Sequence, residues 1–106
     1  MRPNEQRRDL RIDLAVPAQI SVGSQLTLNG TLKDLSLKSA FITMKSSVYL
    51  NVNDEVGFLL QLSPGNDGDI IEGLARVSRI SVGEGMAIYF TSLDDGSMGR
   101  LKNLIK

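Results

Sequence analysis

An all-β fold is what this sequence predicts: a small antiparallel barrel of six or so strands with a short C-terminal α-helix. Three observations lead there. Apolar residues alternate with polar ones in short runs, the period of strands with one buried face. Clusters of Gly, Asn, Asp and Ser separate the runs and supply turns. At the C-terminal end the apolar period settles at three or four residues. With 106 residues and 42% apolar content, the chain has material for one core.

Residues 1–12 carry Pro3 and many charges but little apolar surface, which predicts a flexible basic arm ahead of a single domain over 13–106. Leu14, Val16, Ala18, Ile20 and Val22 then occupy alternate positions and predict the first strand, with Pro17 on its other face. Gly23-Ser24 turns the chain, and Leu26, Leu28 and Leu32 resume the alternation. Asn29-Gly30 inside that run predicts a turn or a bulge. Residues 34–39 are rich in Asp, Ser and Lys and interrupt the pattern, before a third strand at 40–44.

The polar connection 45–53 contains Val48 and Leu50 as core plugs, and Asn53-Asp54 is a turn before a buried strand at 56–62. Residues 63–69 form a loop by composition. A long strand follows at 70–80, where Gly73 marks a barrel corner. A hairpin loop at 81–85 leads to Met86, Ile88 and Phe90 in the last strand. Met98, Leu101, Leu104 and Ile105 predict a helix over 97–106, capped by Asp94, Asp95 or Ser97. Arg100, Lys102 and Lys106 suit its negative C-terminal end. Met44, Met86 and Met98 read as core filler.

Composition narrows the function. The chain has no cysteine and no histidine, so disulfides, thiolate or imidazole metal ligands and imidazole acid–base chemistry are unavailable. No constellation of carboxylates, lysines or hydroxyls replaces them, and neither an enzyme nor a metal or cofactor is expected. A net charge of zero and 5% aromatic residues disfavour a polymer of nucleic acid as partner. No apolar run approaches membrane-spanning length, no secretory leader is seen, and the expected location is the cytoplasm.

Charge is unevenly placed, however. Arg2, Arg7, Arg8 and Arg11 face only Glu5 and Asp9 within residues 1–12, whereas 54–84 is mostly acidic. Guanidinium groups grip phosphate through paired hydrogen bonds and also match the O6 and N7 acceptors of guanine. Arg7 and Arg11 can embrace a compact ligand carrying more than one phosphate, and Arg8 adds to the local field. A carboxylate such as Asp34 repels phosphate but accepts from the N1–H and N2–H groups of guanine, with the Ser36 hydroxyl beside it. Taken singly, these residues also fit surface ion pairs with Lys33 or Lys38 and a self-satisfied turn. Arg76 and Arg79 fit a solvent-facing strand.

As a set, the order and spacing resemble the PilZ family of cyclic di-GMP receptor domains. Arg7-Arg-Asp-Leu-Arg11 matches its R-x-x-x-R motif, and Asp34-Leu-Ser36 matches the start of its D/N-x-S-x-x-G motif. The resemblance extends through 75–80, 85–90 and the terminal helix. It implies a six-stranded barrel whose arm wraps the dinucleotide, with Arg7, Arg8, Arg11, Asp34, Ser36 and Ser39 contacting cyclic di-GMP and a downstream protein partner receiving the signal. One position departs: the family's glycine falls at Ser39. If the site needs a left-handed backbone there, serine costs roughly 1 kcal/mol and weakens binding. The alternative implied by the same resemblance is a degenerate adaptor that binds no nucleotide and acts through protein contacts.

Overall fold

The computed structural model describes residues 12–44, 50–63, 65 and 68–105. Six strands and one helix follow in order: β1 (Ile12–Val22), β2 (Leu26–Leu35), β3 (Ser39–Thr43), β4 (Glu55–Gln61), β5 (Ile70–Ser81), β6 (Gly85–Leu93) and α1 (Asp95–Leu104). The strands close into a barrel in the order β1-β2-β3-β6-β5-β4, and β4 returns to pair with β1. Every neighbouring pair is antiparallel. Closure leaves the barrel with no long edge to protect, which suits a small domain.

Period-two patterning explains the core. Val16, Ala18 and Ile20 of β1 point inward, joined by Leu32, Leu35, Ala40, Ile42, Leu60, Ile71, Ala75, Val77, Met86 and Ile88 from the other strands. Phe58 and Phe90 stack with ring centres 4.9 Å apart. Leu50 plugs the core as expected, whereas Val48 lies outside the described residues. Met86 and Met44 are buried, but Met98 is only partly so.

Local expectations change in the strands first. The first strand starts at Ile12, the last residue of the predicted arm. No turn occurs at Asn29-Gly30: β2 runs straight through, with Gly30 opposite Ala18. Glycine is needed there because a Cβ would collide with the Thr43 backbone carbonyl, so it marks a close approach between strands. The bulge sits three residues later. Leu32 pairs with Ile42 and Asp34 with Phe41, leaving Lys33 as the extra residue of β2.

The helix begins two residues before its predicted start. Asp94 is its cap, and a carboxylate oxygen accepts from the Ser97 N–H at 2.7 Å. That bond, with a second contribution from the Ser97 side chain and the nearby Arg100 charge, holds the Asp94 carboxyl below the usual aspartate range. Leu101 and Ile105 enter the core, while Leu104, expected on the apolar face, is exposed. Ser97 is buried in its stead, because its Oγ accepts from the Glu72 N–H at 3.0 Å. Arg100 donates to the Ile70 carbonyl at 3.0 Å. Both bonds dock α1 on β5.

Candidate functional site

The Lys33 bulge decides where Asp34 goes. Leu28 and Leu32 share its even parity and face inward, so an unbroken β2 would drive a carboxylate toward the core. The extra residue shifts the phase: Leu35 takes the buried position, and Asp34 comes out beside β3. A second bulge, at Ser78 in β5, lies between Val77 and Arg79; there Ser78 donates its hydroxyl to the Ala87 carbonyl at 3.2 Å.

Between the bulges the register draws one row across four strands. Asp34 of β2 pairs with Phe41 of β3, Phe41 with Ala87 of β6, and Ala87 with Arg79 of β5. Three strand spacings separate the ends of the row, about 14 Å between backbones. Phe41 is buried, but it stands on the outer side of β3, apart from the core cluster. Two cations cover its ring instead. Lys33 Nζ lies 5.9 Å from the ring centre and the Arg79 guanidinium carbon 5.7 Å. Ala87 is small enough to let the arginine reach across.

A cleft of about 420 Å³ opens along this row, lined by Lys33, Asp34, Ser39, Phe41, Ser78 and Arg79, with Ala40, Ala87 and Glu84 completing its walls. It offers the carboxylates of Asp34 and Glu84, two cations seated over a buried aromatic ring, and hydroxyls. Such a set can hold a planar, donor-bearing group with an attached anion. Among the described residues no cluster of three or more Asp and Glu side chains could hold a metal ion, and no helix is long and apolar enough to cross a membrane.

Asp34 and Ser39 therefore share the cleft, as the motif spacing implies. Ser36 does not line it. Its side chain is buried, and its Oγ accepts from the Ser39 N–H at 3.1 Å and the Lys38 N–H at 3.3 Å, while the Ser36 N–H donates to the Ser39 carbonyl at 2.9 Å. These bonds close the turn between β2 and β3. A further bond, from the Phe90 N–H to the Lys38 carbonyl at 2.8 Å, pins the turn to β6.

Ser39 corrects an expectation. It opens β3 opposite Tyr89 and does not adopt a positive φ. The strain foreseen for serine at the glycine position is absent, since an extended strand residue accepts a Cβ freely. Arg7, Arg8 and Arg11 lie outside the described residues. Sequence reasoning missed Lys33, Phe41 and Arg79 as cleft residues. The signal for the bulge was present in Leu32-Lys-Asp-Leu35, where the apolar spacing lengthens from two to three. Nothing local marked Arg79.

The model of the PilZ domain family matches residues 5–106. No curated protein matches the chain in sequence. Among solved structures, the Bacillus subtilis inhibitor of motility (MotI/DgrA) superposes with a TM-score of 0.75 at 17% identity, over 99% of this chain and 54% of that one. This chain thus spans about half the length of that protein. The PilZ domain of YcgR from Escherichia coli, solved with c-di-GMP, gives 0.71 at 17% identity, covering 94% of this chain and 88% of that one. The PilZ domain of CeSA from a cellulose-synthesizing bacterium gives 0.66 at 20% identity, covering 90% and 93%. At these identities the likeness is one of fold.

Proposed function

The chain belongs to the PilZ domain family, and from that premise we propose that it is a receptor for cyclic di-GMP that passes the signal to a partner protein. The observation that carries the reading is the row from Asp34 through Phe41 to Arg79. Asp34 accepts from the N1–H and N2–H edge of a guanine. Phe41 holds Lys33 and Arg79 over its buried ring, and Arg79 reaches a phosphate. Arg7 and Arg11 close the clamp from the arm, with Arg8 adding positive field. The ligand is bound and released unchanged, so it is not a cofactor.

Binding fixes the arm over the barrel, and the surface so formed is what the partner recognises. The entropy lost in ordering the arm lowers net affinity but supplies the switch. In this reading the receptor is cytoplasmic, the compartment that suits a chain without cysteine. The domain carries no enzymatic role in this reading.

Calorimetric titration with cyclic di-GMP tests it. Arg7→Ala and Arg11→Ala each abolish the binding heat while the thermal midpoint barely moves. Both variants binding like the parent would rule out the clamp. A degenerate adaptor predicts silence from the parent itself. That alternative draws its support from Ser39, and the extended backbone at Ser39 takes away the strain argument for it.

A further inference from the structure

We infer that the open edge of β2 at residues 26–30 is a self-association surface, and that its occupant is the same edge of a second copy of this chain. Barrel closure is incomplete there. Pairing of β2 with β3 begins only at Thr31, so among the described residues 26–30 have a strand on one side alone, β1.

One bond fixes which backbone groups face the open side. The Thr31 carbonyl accepts from the Thr43 hydroxyl at 3.1 Å, so it points away from β1 and toward β3. Alternate residues of a strand aim their N–H and C=O groups the same way. The register of β2 on β1 is unbroken between Leu26 and Leu32. Thr27 and Asn29 therefore present their N–H and C=O groups to the edge, while Leu26, Leu28 and Gly30 turn theirs to β1.

Such edges are ordinarily guarded by Lys, Pro, a bulge or an inward charge. The other short open stretch, of β1 ahead of its first pairing with β4 at Ala18, is guarded in this way. It carries Asp13, Pro17 and a register shift between Asp13 and Val16. Residues 26–30, Leu-Thr-Leu-Asn-Gly, carry no guard. The whole hairpin from 14 to 32 holds no Asp, Glu, Lys or Arg, in a chain that is 23% charged.

An uncharged edge suits a second copy in particular. A two-fold axis sets a patch against itself, and a charged patch would repel its own image. Antiparallel pairing centred on Leu28 sets Thr27 of each copy against Asn29 of the other. Both residues face the edge, so each pair exchanges both of its N–H···O=C bonds. Between these pairs the two Leu28 side chains meet on the inward side, where Leu28 is only half-buried against the core. A groove of about 720 Å³ along the edge, lined by Leu28, Gly30, Thr43, Met44 and Glu84 among others, leaves room for that contact. The interface is short, and association should depend on concentration.

Sedimentation equilibrium of the full chain without nucleotide tests the assignment, from about 10 μM to about 1 mM, the range that a small interface requires. The parent's average mass rises toward twice the monomer mass. In Thr27→Lys/Asn29→Lys a lysine faces a lysine in each pair, and the dissociation constant rises by about tenfold. In Thr27→Glu/Asn29→Lys the same positions bring a glutamate against a lysine, and association returns to the parent's level or exceeds it. Both residues are exposed, so the thermal midpoints of the two variants stay near the parent's.

A parent that remains monomeric throughout overturns the proposal. A double-lysine variant that associates like the parent places the contact elsewhere and overturns it too. Loss of association in the Glu/Lys variant overturns the register centred on Leu28.

Discussion

The Arg79 guanidinium lies over the Phe41 ring, 5.7 Å from its centre, although the two residues sit on strands that are not neighbours. Strand β6 runs between them, and Ala87 is its contribution to the row. The contact depends on that small side chain and on the Ser78 bulge, which sets the phase of β5 at Arg79. With Lys33 on the same ring, it sets two cations over one buried aromatic side chain in the middle of the row.

Removal of the exposed member should affect ligand more than fold, whereas the buried Phe41 serves both. Arg79 is exposed, so Arg79→Ala leaves the thermal midpoint nearly unchanged. Loss of a cation–π and phosphate partner predicts about tenfold weaker cyclic di-GMP binding by calorimetry. Phe41→Leu keeps apolar cover but removes the ring, and binding falls by about threefold to tenfold. Unchanged affinity in both variants would place the nucleotide elsewhere on the barrel.

Docking of α1 should depend on one hydroxyl. Ser97 is buried, and its Oγ takes the Glu72 N–H of β5. Ser97→Ala leaves that donor without its partner and costs about 1–3 kcal/mol in urea unfolding. Ser97→Thr preserves the acceptor but adds a methyl to a filled site, so it recovers only part of the loss.

Asp94 makes the helix cap sensitive to acid. Its folded pKa is depressed, chiefly by the bond from the Ser97 N–H. A depressed carboxyl contributes stability that is fully present above its unfolded pKa, about 3.9, and fades as pH falls through the lower folded value. The parent should therefore exceed Asp94→Asn in urea midpoint at neutral pH, with the gap narrowing in the acid range below the ordinary aspartate pKa. A gap independent of pH would mean that the cap works without its charge.

Two glycines should respond in opposite directions to alanine. Gly99 lies in α1 with open space where a Cβ would go, so Gly99→Ala stabilises by about 0.5–1 kcal/mol. At Gly73 the same atom would collide with the Ser92 backbone carbonyl. Gly73→Ala should destabilise by about 1–3 kcal/mol, since strands rather than a flexible side chain must move. Thermal melts of the pair check both signs.

The sequence alone determined the class of fold and the strand count, because alternation at Leu14–Val22 and at Met86, Ile88 and Phe90 is a local property that any half-buried strand must show. It also placed Asp34 at a strand end and singled out Ser39 through its departure from a motif. Tertiary structure decided what those residues face. Gly30 was legible as special but not as a close approach to Thr43, because its crowding partner is distant in the chain. Ser36 and Ser39 look alike in the motif, and only the fold buries Ser36 in the turn and puts Ser39 on the cleft wall. Arg79 and Phe41 met only when bulges in β2 and β5 set the register of four strands. Register is a sum over long-range pairings, and no window of sequence contains that sum.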